Sequence, residues 1–302
     1  MKISVIMALY KEPLIYFRQS VESTISSVGK FDYELIIIID NPSIDSAIKL
    51  YIKDLLDNNS KVKVIFNEAN IGLALSLNKG IDISTGDYIM RMDADDICYQ
   101  DRVQIQKNYL ENNLDVGIVG SSVTRIDSNN NVIGFSKAYQ YKSDEKQIKD
   151  WRLRSICFHP TWFGRAEIFK SLKYNGLQCA QDVEFLFRCL EKQIKVRNIN
   201  EPLLYYRISN GSLSLSKGFE QSIIRFCLNS VYKSSSNYLE LSARIEKLMS
   251  RRGYMFWAFS RFHNRYTVCL NERKYHFLIL MALTSPLHLY KLYLLMLTKL
   301  NR

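Results

Sequence analysis

Several absences narrow what this 302-residue sequence can be. Its six cysteines (Cys98, Cys157, Cys179, Cys189, Cys227 and Cys269) include no CxxC pair, and with only four histidines no zinc spacing can be assembled. They read as reduced thiols of a cytosolic protein. No GxGxxG follows the first apolar run, and no GxxxxGK followed by Ser or Thr occurs anywhere. Dinucleotide binding of the usual kind and P-loop chemistry are therefore disfavoured. The opening "MKISVIMALYKE" has too short an apolar run for a signal peptide and reads as a first strand. The longest charge-free run near the end, Tyr275–Tyr290, contains Pro286 and falls short of the ~18–20 residues of a membrane span. Internal repeats and low-complexity segments are lacking too.

What is present is unevenly charged. Residues 1–200 hold 26 Lys and Arg against 25 Asp and Glu, whereas residues 201–302 hold 15 against 5. The net charge of +11 thus sits almost wholly in the last third. A basic segment of this kind suits phosphates, whether of nucleic acid, anionic lipid or a phosphorylated ligand.

The apolar runs Ile3–Leu9, Tyr33–Asp40, "KVKVIF" and "YIMRM" read as buried strands. Between them, apolar residues recur every three or four positions: Leu14 to Val28, Ile44 to Leu55, and Ile71 to Ile83. The resulting βαβαβαβ order predicts an α/β fold: a Rossmann-like, mostly parallel sheet with helices on both faces. A hairpin is expected after Val116–Val123, with its turn at Ser128–Asn131. "DEKQIKDWRLRSI" and Asp182–Leu190 read as helices, and "VRNINEPLLYYR" as a closing strand. Beyond about Gly211 comes a helical, basic and apolar extension.

Ligands of such sheets bind beyond the carboxyl ends of the strands. Tyr10 and Glu12, Asp40, and the cluster Asp93, Asp95 and Asp96 all fall there. A fold without a glycine cradle for phosphates can use carboxylates and a hard cation such as Mg²⁺ or Mn²⁺ instead. Alternatively, Asp96 or Asp101 caps the helix that begins near Arg102.

The stretch Asn70–Asp96, "NIGLALSLNKGIDISTGDYIMRMDADD", resembles the donor-binding core of the family-2 glycosyltransferases, which have the GT-A fold. The matching parts are Asn70-x-Gly72, Leu77-Asn78-x-Gly80, Gly86-Asp87-Tyr88-Ile89 and Arg91-Met92-Asp93-Ala94-Asp95-Asp96. The first strand, the "IIIID" end, "HPTWFGRAEIF" and "AQDVEFLFR" fit the same family, so the resemblance covers residues 1 to about 207.

The resemblance implies roles for particular residues. Asp40 would face the uracil of a UDP-sugar, Asp93 the ribose and diphosphate, and Asp95 the metal, Mn²⁺ or Mg²⁺. Leu9, Tyr10, Glu12, Asn70, Gly72, Asn78 and Arg91 complete the donor site, although Arg91 could equally pair with a neighbouring aspartate. Asp182 would be the catalytic base of an inverting transfer, unless it caps its own helix. Gln181 stands where many members have Glu, and Asn41-Pro42-Ser43 departs from the family pattern after Asp40. His159 and Arg207 are candidate acceptor-binding residues, with a structural histidine and a surface arginine as the alternatives.

Residues 1–210 would then form the catalytic domain, with a nucleotide-sugar half (about 1–123) and an acceptor half (about 124–210). Residues 211–302 would associate with an anionic membrane surface or, alternatively, pack on the domain or in a homo-oligomer. The expected acceptor is a saccharide linked to a lipid such as undecaprenyl diphosphate, in bacterial O-antigen or capsule synthesis. The enzyme would be cytoplasmic, at the inner face of the plasma membrane. A nucleotidyltransferase would need a glycine-rich basic loop where "ALYKEP" stands, and a nucleic-acid binder would need a basic functional edge. This edge is acidic, so no nucleic-acid partner is expected.

Overall fold

The structure, a computed structural model, describes residues 1–140, 147, 157–177, 179–208, 221 and 224. The chain divides into two units, one of Met1–Gln147 and Ser155–Ser209, the other of Ile148–Arg154 and Asn210–Arg302. Apart from Gln221 and Ile224, the described residues belong to the first. The expected helix at "DEKQIKDWRLRSI" and the C-terminal extension therefore lie outside them, with Gln147 alone of that helix described.

The first unit begins β1 (Lys2–Leu9), α1 (Leu14–Val28), β2 (Asp32–Ile39), α2 (Ser46–Asn58), β3 (Val62–Phe66), α3 (Leu73–Ile83) and β4 (Tyr88–Asp93). There follow β5 (Ile97–Cys98), α4 (Arg102–Asn112), β6 (Val116–Ile126) and β7 (Val132–Ser136). A 3₁₀ turn (His159–Thr161) then leads into β8 (Phe163–Arg165), α5 (Ala166–Leu172), α6 (Gln181–Glu191) and β9 (Lys195–Arg207). The strands make one sheet in the order β3-β2-β1-β4-β8-β6-β9-β5, with β7 paired to β6. β3, β2, β1 and β4 run parallel, as the alternating pattern predicts. β8 enters antiparallel between β4 and β6, and β9 returns parallel to β6. The hairpin turn is present, with Asn130 in the left-handed region at φ 68°.

Side-chain alternation builds two apolar layers. Ile3, Val5, Met7 and Leu9 of β1, with Leu35, Ile37 and Ile39 of β2, share one core with Phe17 and Val21 of α1, Ile48 and Ile52 of α2, and Val103 and Leu110 of α4. On the other face Ile6 and Ile38 meet α3 at Gly80. A Cβ there would stand 2.6 Å from Ile6 Cγ2 and 2.9 Å from Ile38 Cδ1, so α3 lies directly on the sheet. Seven of the eight β2 residues are buried because helices cover both faces, which is why this strand reads as a continuous apolar run. Among the described residues, no helix is long and apolar enough to cross a membrane.

Candidate active site

The carboxyl ends of β1, β2 and β4 lie side by side. In register, Leu9 is opposite Ile39 and Ala8 opposite Asp93. Each strand therefore delivers its next residues to one edge, and two acidic stations form there.

Asp40 makes the first. Its backbone N–H donates to the Leu9 carbonyl at 2.8 Å. Its Oδ1 accepts from Asn67 Nδ2 (2.8 Å) and the Ile71 N–H (2.9 Å), and its Oδ2 from the Gly72 N–H (2.8 Å). Asn70 Oδ1 shares the Gly72 N–H at 3.0 Å. Gly72 stands at φ 85° before the first turn of α3, a conformation that favours glycine. Asp40 thus closes the loop that starts α3. Leu9, by contrast, turns its side chain into the core and can offer a ligand only its backbone. Tyr10 is exposed, and the Lys11 and Asn70 side chains hold its hydroxyl below its ordinary pKa.

The second station is Asp93, Asp95 and Asp96. One ligand oxygen from each lies within 4.8 Å of the others. The turn that carries them is tied down by its carbonyls. Ser20 Oγ donates to that of Asp93 (2.7 Å), Arg207 Nε to that of Asp95 (2.7 Å), and Arg102 Nη2 to that of Arg91 (2.9 Å). The carboxylates themselves find little relief. Burial, with the Asp93 and Glu12 carboxylates nearby, pushes Asp95 up to about 7. Burial and the Asp95 and Asp93 charges push Asp96 well above the usual carboxylate range. Asp96 Oδ2 is buried with no hydrogen-bond partner. Glu12 is raised mainly by burial, although its Oε2 accepts the N–H groups of Tyr10 (2.7 Å) and Lys11 (3.0 Å).

The structure replaces several expectations. Asp96 caps no helix: its Oδ1 accepts the Arg207 backbone N–H at 2.8 Å, tying β9 to the acidic turn. Asp101 occupies the α4 N-cap position without a side-chain cap bond. Arg91 is buried and pairs with Asp93, the aspartate alternative. Burial alone would lower its pKa, but the Asp93 carboxylate more than restores it. Arg207 is neither a surface arginine nor open to an acceptor. It is buried and stacked over the Tyr16 ring at 4.0 Å, and it donates to Asp95, the Asp127 carbonyl (2.9 Å) and Gln19 Oε1 (3.2 Å). Asn78 commits both ends of its amide to Tyr174, donating to its carbonyl (2.7 Å) and accepting its N–H (2.8 Å). It therefore links two segments of the chain.

Asp182 lies in the first turn of α6, one residue inside the helix, and Ala180 holds the N-cap position in the left-handed region. His159 is buried, and its Nε2 meets the Tyr174 hydroxyl at 2.7 Å. Trp162 packs edge-on against it. Burial and the Arg91 charge hold His159 well below its ordinary pKa, so it is neutral. Burial raises Tyr174, and Asp182 and Asp93 both add to the shift.

Sequence reasoning missed Tyr174, Arg102 and Tyr206. Arg102, at the first turn of a polar helix, has the pattern of a solvated residue, yet it is fully buried behind the acidic turn. Burial raises Tyr206, and the Asp96, Asp93 and Asp95 charges push it further. Its place beside Arg207 on β9 was the only sequence signal.

With this geometry in hand, the similarities to known proteins are specific. The model of the family described as "Glycosyl transferase family 2" matches residues 4–173. The chain belongs to that family. This glycosyltransferase is 36% identical over 226 residues to an uncharacterized glycosyltransferase of Methanocaldococcus jannaschii, covering 74% of this chain and 77% of the other. It is 31% identical to the amylovoran biosynthesis glycosyltransferase AmsE of Erwinia amylovora, covering 72% and 80%. It is 29% identical to the putative glycosyltransferase EpsE of Bacillus subtilis, covering 68% and 73%. Among solved structures, S. aureus TarS residues 1–349 in complex with UDP-GlcNAc aligns with a TM-score of 0.58 at 17% identity. That alignment covers 76% of this chain and 66% of TarS 1–349, and it shows a shared GT-A fold. The family match ends at residue 173, so Tyr174 and Asp182 of the glycosyltransferase lie beyond it.

Proposed function

We propose that this glycosyltransferase moves a hexose or N-acetylhexosamine from a UDP-sugar to a saccharide acceptor with inversion, using a divalent cation and Asp182 as general base. The observation that carries the reading is the meeting of two acidic stations on one sheet edge, with their carboxylates differently satisfied. TarS was solved with UDP-GlcNAc and with UDP, which supports a uridine nucleotide.

Asp95 would hold the cation, with Asp93, paired to Arg91, toward the ribose and diphosphate and Asp96 behind them. The residues fit it: three hard oxygen donors converge within 4.8 Å, and one buried oxygen is unpartnered. A cation held there would supply charge stabilisation for the departing diphosphate. The protein's own residues do the rest. Asp40 and the Asn70–Gly72 loop shape the nucleoside end of the edge. Asp182 takes the proton of the acceptor hydroxyl, which attacks the anomeric carbon opposite the leaving group.

AmsE is named for amylovoran biosynthesis, which supports a polysaccharide pathway for this chain as well. The +10 charge of residues 201–302 supports anionic membrane and a lipid-linked acceptor.

The test is calorimetry and slow donor hydrolysis with the purified full-length protein, Mn²⁺ and a panel of UDP-sugars. One UDP-sugar should bind and hydrolyse, and the signal should vanish with EDTA. Tight binding of a different nucleotide, or hydrolysis that survives EDTA, would overturn the donor or the metal assignment respectively.

A further inference from the structure

Asp182 sits on α6, while the donor edge is built by β1, β2, β4 and α3. A chain of contacts through residues 172–174 runs between them. Gly80 seats α3 directly on Ile6 and Ile38. Two residues earlier on the same helix, Asn78 grips the Tyr174 backbone with both its N–H donor and its carbonyl. Asp82, also on α3, pairs with Lys173. From the opposite side comes Arg188 of α6. Its Nη1 donates to the Leu172 carbonyl and its Nη2 to that of Lys173 (2.6 Å). Glu184, one turn earlier and fully buried, holds the guanidinium in place through Nε (2.6 Å) and Nη2 (2.9 Å).

The backbone between these grips is strained. Lys173 is held at φ 47° and ψ 163°, and Ala180, just before Asp182, at φ 55°. Non-glycine residues keep such conformations only where the surroundings over-determine them, and such strain concentrates at functional sites.

We propose that Asn78 and Arg188 are positioning residues, which clamp residues 172–174 between α3 and α6 and so fix Asp182 relative to the donor edge. The proposal rests on Asp182 being the base. It assigns Asn78 a role in transfer but none in holding the donor.

The experiment measures transfer, UDP affinity and thermal stability in Asn78→Ala and Arg188→Lys, each alone and combined with Asp182→Asn. The expected result in the single variants is a kcat lower by about 10- to 100-fold, the scale of a small misplacement of reacting groups. Donor KM and UDP Kd should stay within about twofold, because the donor edge is not touched. In the Asp182→Asn background neither substitution should reduce transfer further, since the group being positioned is gone. Asn78→Asp keeps the acceptor for the Tyr174 N–H and should recover part of kcat. It and Arg188→Lys carry the test if Asn78→Ala does not fold. A weaker UDP Kd with unchanged kcat would make Asn78 a donor ligand and overturn the proposal. An equal further loss in the Asp182→Asn background would make the clamp merely structural. Wild-type transfer in Asp182→Asn would instead remove the base, and the positioning role with it.

Discussion

The two acidic stations on the sheet edge are built from the same residue type and behave oppositely. Asp40 is complete as it stands: its two oxygens accept three N–H groups from Asn67, Ile71 and Gly72, all from the loop it closes. The Asp93–Asp95–Asp96 cluster is incomplete. Its backbone is tied down by Ser20, Arg102 and Arg207, yet the carboxylates face one another and Glu12, and Asp96 Oδ2 has no partner. The first station uses its charge to shape a loop. The second has its backbone held in place by surrounding side chains; Arg91 pairs with Asp93, but Asp95 stays crowded by neighbouring carboxylates. Like charges kept together at such a cost call for a positive ligand.

The contrast breaks most visibly in activity. Asp95→Ala should lower metal-dependent transfer by at least about 10³-fold, measured against the best UDP-sugar, with an unchanged circular-dichroism spectrum. Full activity in that variant would remove Asp95 from the metal site. Asp182→Asn should cost about 10²- to 10⁴-fold in kcat, as expected for loss of a general base.

Stability against pH gives the next effect. In the metal-free protein Asp95 titrates near 7, above its unfolded value of roughly 3.9. The stability tied to its proton is full below the unfolded value and is lost as pH rises through about 7. Glu34, held down to about 2 by Lys63, Ser4 and Thr85 against the pull of burial, works in the other direction. Its contribution is lost only in strong acid and stays constant from pH 5 to 8. His159, held neutral by burial, opposes this trend below its ordinary value of roughly 6.5, so the metal-free melting temperature should fall chiefly between about pH 6.5 and pH 8. Saturating Mn²⁺ should raise it most at pH 8, where Asp95 is charged. A flat profile without metal would mean that the cluster is not under strain.

Asp→Asn substitutions compare the stations directly. Asp40→Asn puts an amide NH₂ where an N–H donor now points, at the loop that starts α3. It should cost about 1–3 kcal/mol in denaturant unfolding, the scale of an unmade buried hydrogen bond. A neutral result would mean that the loop does not depend on Asp40.

Most of the acidic edge was legible in the sequence. β1, β2 and β4 are buried on both faces, so their apolar runs mark their ends, and the acidic residues follow those ends. The glycines that permit close approach, Gly72 and Gly80, fall in the same short stretch. Other features depended on distant parts of the chain. Arg207 reaches Asp95 and Asp96 across more than a hundred residues, and Asn78 meets Tyr174 across 96. No local pattern separates an arginine that braces a turn from one that faces solvent. Nor does any distinguish an asparagine that binds a ligand from one that binds a backbone. Arg102 was hidden for the same reason, because a polar helix start looks solvated until a strand end is laid over it.

The smallest effect tests the contrast most finely. Asp96→Asn keeps the oxygen that accepts the Arg207 N–H, so the tie to β9 survives. At the other position it places an amide where an oxygen now has no partner, beside Asp95 and Asp93. The substitution removes one of three crowded carboxylates and breaks no bond seen in the structure. In metal-free protein at pH 8 it should therefore leave unfolding stability within about 0.5 kcal/mol of wild type or raise it, well apart from Asp40→Asn. A loss as large as that of Asp40→Asn would mean that the third carboxylate is satisfied within the protein and that the two stations do not differ in kind.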